Sequence, residues 1–131
     1  MADKPQRDKP RVLIVEDEVV VAMDIQLQLI TMGYDVPATE FSGERSVERA
    51  AELKPDVVLM DVNLRGRLNG VDAARRIWEK FRIPVIFVTG NYDEATANKV
   101  KVTEHFGFLL KPFTGRDLRA MINGALLEGA A

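Results

Sequence analysis

Four short stretches of the chain are apolar at nearly every position, and segments of mixed polarity with helical spacing separate them. Arg11–Val15 holds Val-Leu-Ile-Val, Asp56–Met60 holds Val-Val-Leu-Met, Pro84–Thr89 holds Val-Ile-Phe-Val, and Phe106–Leu110 ends in Phe-Leu-Leu. Unbroken apolar runs of this length, without alternation, are what strands covered on both faces require. A weaker strand is expected around Tyr34–Ala38, broken or edged by Pro37, which cannot donate to a ladder.

The intervening segments carry helix signals. Helical spacing runs from the acids after Val15 to Met32, and Gly33 stands where a C-cap belongs. Ser42 is placed to cap a second helix reaching about Leu53, with Val47, Ala50, Ala51 and Leu53 expected inward, and Lys54-Pro55 closes it. A third helix is predicted from about Val71 to Lys80, with Asn69 as cap and Asp72 three residues on. Asp93 to about Glu104 reads as a more polar, Ala-rich helix. Thr114 and Asp117 make a capping-box pattern opening a last helix to about Leu127. Strand and helix alternate five times through connections short enough for right-handed crossovers. The expected fold is α/β: a doubly wound, five-stranded parallel sheet with helices on both faces.

In such sheets ligands sit beyond the carboxyl ends of the strands. Glu16 and Asp17 follow the first strand, Asp61 the third, Thr89 the fourth and Lys111 the fifth. Each has an ordinary explanation alone, as cap, turn residue or surface lysine; their coincidence at one rim is the signal. The set suits phosphoryl transfer to a carboxylate. Converging carboxylates repel one another and call for a hard dication, and Mg2+ is satisfied by two or three protein oxygens plus water. Asp61 would be the nucleophile, and Lys111 and Thr89 would serve the remaining phosphoryl oxygens. Gly90, without a side chain, would let backbone donors approach the phosphate.

Composition narrows the field without adding to it. A hydrophobic fraction of 47% with 29% charged residues fits one soluble globular domain in 131 residues. A net charge of −2 gives no reason to expect nucleic acid or an anionic membrane as partner. The absence of cysteine excludes disulfides and thiolate metal sites. Residues 1–10 are polar, carry two prolines and read as a disordered arm, residues 128–131 as a tail. With no signal-peptide core and no span long enough for a bilayer, a cytoplasmic location is expected.

The sequence resembles the receiver domain of two-component response regulators over residues 11–127. The resemblance rests on Val-Leu-Ile-Val-Glu16-Asp17-Glu18, Leu-Met-Asp61, Pro-Val-Ile-Phe-Val-Thr89-Gly90 and Leu-Leu-Lys111-Pro112-Phe113, in that order and spacing. It implies strand order 2-1-3-4-5 and Asp61 as phosphoacceptor. It further implies Mg2+ held by Glu16, Asp17, Asp61 and the Asn63 carbonyl, Thr89 as switch hydroxyl with Phe108 as its aromatic companion, Lys111 on the phosphate, and a cis bond before Pro112. The implied partners are a histidine kinase or histidine phosphotransfer protein upstream. Downstream, a protein target would meet the face formed by helix four, strand five and helix five.

Three features depart from the commoner pattern. Glu16 replaces an aspartate, Phe108 lacks the hydroxyl of a tyrosine, and Arg65-Gly66-Arg67 stands where a proline-containing turn is usual. Asn63 and Asn91, each two residues past a key position, are placed to influence attacking water. A rival reading is a Mg2+-dependent phosphatase using an aspartyl phosphate, but those enzymes place a second Asp where this chain has Asn63. A flavin module would need a hydroxyl- or glycine-rich first loop, and a phosphorylation-independent interaction module would not need the full polar set.

The first helix carries more apolar surface than a sheet requires. Val21, Ile25, Leu29 and Met32 form the stripe expected to meet the sheet. Val20, Met23, Leu27 and Ile30 form a second, nearly opposite stripe, a candidate dock for a helical bundle presenting phosphohistidine; cover by the N-terminal arm or a homodimer contact is the alternative. His105 reads as a surface or capping residue, and Trp78 and Phe81 as core or edge-of-core. No output or DNA-binding domain follows Leu127, so the chain reads as a stand-alone receiver or a receiver fragment of a longer kinase or regulator.

Overall fold

In a computed structural model, which describes residues 9–90, 93–101 and 107–130, strands and helices alternate along the chain. They are β1 (Arg11–Val15), α1 (Val19–Thr31), β2 (Asp35–Glu40), α2 (Gly43–Leu53), β3 (Val57–Asp61), α3 (Gly70–Phe81), β4 (Val85–Thr89), α4 (Glu94–Lys101), β5 (Gly107–Leu110) and α5 (Gly115–Ala130). The strands form one parallel sheet in the order β2-β1-β3-β4-β5, as the resemblance implied.

The central strands are buried on both faces because successive side chains point to opposite sides. Leu13, Val15, Val58, Met60, Val85 and Phe87 pack with Ala50 of α2 and Val71, Ala74 and Ile77 of α3. Their alternates, Val12, Ile14, Val57, Leu59, Ile86 and Val88, pack with Ala22, Ile25 and Leu29 of α1 and Leu118 and Ile122 of α5. The sheet thus has two separate cores, with α2 and α3 on one side and α1 and α5 on the other.

The edge strand β2 takes Pro37 at a cost in regularity. Its pairing with β1 slips by one residue between Arg11↔Asp35 and Leu13↔Ala38, so the segment holding Pro37 lies at the irregularity. Pro10 accepts from the Asp35 amide, tying the entry to β1 to the sheet edge. In α2 the Ser42 hydroxyl accepts from the Arg45 amide as expected, but the inner face differs from the sequence reading. Gly43, Ser46 and Ala50 are buried with Val47 beside them, while Ala51 is exposed. Ala51 lies about 100° around the helix from Ala50, which turns it away from the face that Gly43, Ser46 and Ala50 bury.

In α3 the Asn69 side chain accepts from the Asp72 amide at 2.9 Å. The capping box at Thr114 and Asp117 is reciprocal, each side chain accepting from the other's amide. Asp93 caps α4 through the Thr96 amide at 2.8 Å. The expected continuation of α4 to Glu104, and Phe106, His105 and Asn91, lie outside the described residues. Phe81 packs against the α2/α3-side core, while Trp78 is half-buried beneath the Arg82 guanidinium, 5.3 Å from the ring centroid. No helix among the described residues is long and apolar enough to cross a membrane.

Candidate functional site at the carboxyl rim

Register carries the polar residues to one place. Val15 pairs with Met60, so the residues that follow them, Glu16 and Asp61, emerge side by side. Asp61 pairs with Val88 and Thr89 with Leu110, which brings Thr89 and Lys111 to the same rim. The Lys111 amide donates to the Thr89 carbonyl at 2.7 Å, and the Lys111–Pro112 peptide is cis.

Asp61 is 8% exposed and Glu16 2% exposed. The Asp61 carboxyl is raised from its usual 3.8 to about 7, chiefly by burial and also by its contact with Glu16. The Asn63 amide, donating to Asp61 Oδ1 at 3.0 Å, and the nearby Lys111 charge pull the other way. Lys111 Nζ donates to Glu16 Oε1 at 2.6 Å, so a buried carboxylate and ammonium are paired. Glu16 Oε2 accepts from the Glu18 amide at 3.2 Å. This acid is therefore committed to the rim from both oxygens. Thr89 is buried at the end of β4.

One oxygen from each of Glu16, Asp17 and Glu18 lies within 4.8 Å of the others, in a burial gradient from buried to exposed. An all-carboxylate donor set of this kind, with Asp61 against Glu16, fits a hard, oxygen-preferring dication such as Mg2+. Glu18 was visible in the sequence as the third acid in a row but was not singled out as a site residue. Its backbone position at the start of α1, with no side-chain cap bond, leaves its carboxylate available to the cluster.

The loop from Val62 to Asn69 frames the site from the β3 side. Val62, Leu64 and Leu68 are buried and anchor it. The helix start behind it is pressed against β3: a Cβ at Gly70 would lie 2.1 Å from the Asp61 carbonyl oxygen, so no larger residue fits there. Arg65 at the loop tip reaches Asp17, its amide 3.2 Å and its Nε 3.3 Å from Oδ2. The sequence marks Arg65-Gly66-Arg67 as a departure from the commoner pattern without indicating a contact for it. The link joins residues 48 apart and depends on the turn at Gly66, whose φ of +108° favours glycine.

The remaining predicted positions fall as follows. Asn63 is exposed beside Asp61. Gly90 is exposed, and a Cβ there would meet nothing in the protein, so internal packing does not demand glycine. Pro112 is exposed, and Phe108 is half-buried against the α2/α3-side core. Val20, Met23, Leu27 and Ile30 are 79%, 62%, 66% and 52% exposed, with Val19 continuing the stripe. Glu40, at the end of β2, is buried and held by Arg49 at 2.7 Å, a polar pair that sequence patterning did not single out.

A family model described as the response regulator receiver domain matches residues 12–123. The transcriptional regulatory protein PdtaR of Mycobacterium tuberculosis is 35% identical over 108 residues, covering 82% of this chain and 52% of that protein. The phyllosphere-induced regulator PhyR of Methylorubrum extorquens is 32% identical over 116 residues, covering 88% of this chain and 43% of that protein. The chain thus spans about half the length, or less, of these relatives. Among solved structures, the signal receiver domain of a modulated diguanylate cyclase from Desulfovibrio desulfuricans G20 superposes with a TM-score of 0.88 at 37% identity. That match covers 94% of this chain and 98% of the other.

Proposed function

The chain belongs to the response regulator receiver family of two-component systems, and on that footing we propose that it is a phosphorylation-controlled switch whose phosphoacceptor is Asp61. The observation that supports this most is the placement of Asp61. It ends a rigid buried strand, one side faces the acid Glu16, and Lys111 reaches the same cluster through Glu16.

In the proposed reaction an ionised Asp61 oxygen bonds to phosphorus as the P–N bond of a phosphohistidine donor breaks and the imidazole leaves. Glu16, Asp17 and Asp61, with the Asn63 carbonyl, would hold Mg2+. When bound, the ion neutralises charge between the carboxylates and the phosphoryl oxygens. Lys111, already at the rim, turns from Glu16 to a phosphoryl oxygen, and the Thr89 hydroxyl donates to another. Hydrolysis reverses the modification when water attacks phosphorus, with Asn63 bordering its approach.

The switch itself is a local charge change read by packing. Thr89 moves toward the phosphoryl group, Phe108 shifts with it on the neighbouring strand, and the surface of α4, β5 and α5 changes for a downstream protein. The exposed stripe of α1 would receive the helical bundle of a histidine kinase or phosphotransfer protein.

The direct test is intact-mass and peptide mapping after incubation with acetyl phosphate and Mg2+. Wild type gains one phosphoryl group, located on Asp61; Asp61→Asn gains none. A wild-type protein that stays unmodified with every competent donor, or that is modified elsewhere, would sink the proposal.

A further inference from the structure

The contact between Arg65 and Asp17 has no counterpart in the reaction outlined above. Asp17 is largely covered, its side chain 14% exposed, while Arg65 is 85% exposed, so the guanidinium sits on the solvent side of the carboxylate. Two donors from one residue, the amide and Nε, converge on the same oxygen, Oδ2. The loop that delivers them is fixed at both ends by Leu64 and Leu68 and turns at Gly66. The tip is therefore the part able to move without disturbing the core.

The electrostatic reason for a cation there is local. Three carboxylates gathered within 4.8 Å repel one another. Lys111 meets the charge of Glu16, and Arg65 meets that of Asp17. A divalent ion entering the cluster needs the Asp17 oxygens and brings a charge that repels the guanidinium.

We propose that Arg65 is a positioning residue for Asp17: its guanidinium holds that carboxylate in the ion-free protein and is displaced when a divalent cation binds. It thereby sets ion affinity and ties ion binding to movement of the β3–α3 loop. The inference rests on the reading of Glu16, Asp17 and Asp61 as the ion site.

Isothermal titration with Mg2+ at fixed ionic strength tests it, using wild type, Arg65→Gln, Arg65→Lys and, as a charge control, Arg67→Gln. Arg67 is exposed on the same tip. An exposed ion pair of this kind supports a change of about two- to fivefold. Arg65→Gln binds Mg2+ tighter by that factor, Arg65→Lys returns toward wild type, and Arg67→Gln matches wild type. In wild type, the backbone amide resonances of Arg65 and Gly66 shift along with that of Asp17 during the titration. Unchanged or weaker binding by Arg65→Gln overturns the inference, as does equal tightening by Arg67→Gln, which would assign the effect to net charge. If wild type binds Mg2+ and Arg65→Gln behaves identically, only the role of Arg65 falls. If wild type takes up no divalent ion, the site reading falls with it.

Discussion

Helices α1 and α3 cover opposite faces of one sheet, and they are built on different plans. Each buries one stripe: Ala22, Ile25 and Leu29 in α1, and Val71, Ala74 and Ile77 in α3. Outside that stripe they diverge. The outer side of α3 is Asp72, Arg75, Arg76, Glu79 and Lys80, a solvated surface. The exposed positions of α1 include Asp24 and Thr31, but Val19, Val20, Met23, Leu27 and Ile30 outnumber them. Their ends differ as well. α3 has a side-chain cap, an acid in its first turn and a base in its last, whereas α1 has none of these. The acid that precedes α1 by three residues, Glu16, is turned to the rim instead. α3 is specified by the rules of an amphipathic helix; α1 departs from them at both its N-terminus and its outer face, where the fold gains nothing.

The largest effect should show where the two helices agree. Leu29 and Ile77 are both fully buried, so Leu29→Ala and Ile77→Ala should each cost about 2–5 kcal/mol in chemical denaturation. Comparable losses would place the two inner stripes on the same footing. If Leu29→Ala cost under about 1 kcal/mol, α1 would not be held by its sheet-facing stripe and the comparison would break.

An effect of comparable size, spread over about three pH units, belongs to the rim from which α1 departs. Asp61 is raised to about 7 in the fold against 3.8 ordinarily. Between those values the folded chain keeps a proton that the unfolded chain has released, so ionisation opposes folding. Stability of the metal-free protein should therefore fall as pH rises from about 4 to about 7, by up to about 1.4 kcal/mol per pH unit, and level off above. Denaturation in the presence of a chelator checks this, with Asp61→Asn expected to flatten the slope. A wild-type profile that rises over the same window would show that Asp61 is ionised in the fold and better paired than its burial implies.

The uneven legibility of the sequence follows the same division. Strands were plain because full burial demands unbroken apolar runs, as in Val57–Met60, and the caps at Ser42, Asn69 and Thr114 were plain because each needs a side-chain acceptor within three residues of its donor. The rim positions of Asp61, Thr89 and Lys111 followed from those strands, since each residue simply ends one. What stayed hidden depended on contacts between distant segments. The choice of Ser46 rather than Ala51 for the buried side of α2 depends on which face of that helix meets the rest of the protein. The slip at Pro37 is decided by the partner strand, and the Arg65–Asp17 link by a loop whose course no local signal fixes. Glu18 was in view but not assigned, because an acid before a helix looks the same whether it caps the helix or faces an ion.

The outer stripe of α1 offers the smallest effect on folding and the sharpest on function. Leu27 is 66% exposed, so Leu27→Lys should change stability by no more than about 0.5 kcal/mol. Its counterpart on α3, Arg76→Glu, should be as mild. If the α1 stripe receives a phosphodonor bundle, the two variants part company in transfer kinetics. Leu27→Lys places a charge in the centre of an apolar contact and should slow phosphotransfer from the cognate kinase by about tenfold or more, while Arg76→Glu leaves it unchanged. Labelling by acetyl phosphate, which needs no docking face, should be the same for both variants and wild type. Loss of acetyl phosphate labelling in Leu27→Lys would mean that the substitution had reached the rim through the start of α1. Unaltered kinase transfer would leave the apolar stripe to a different partner, with a second copy of the chain as the first to examine by sedimentation.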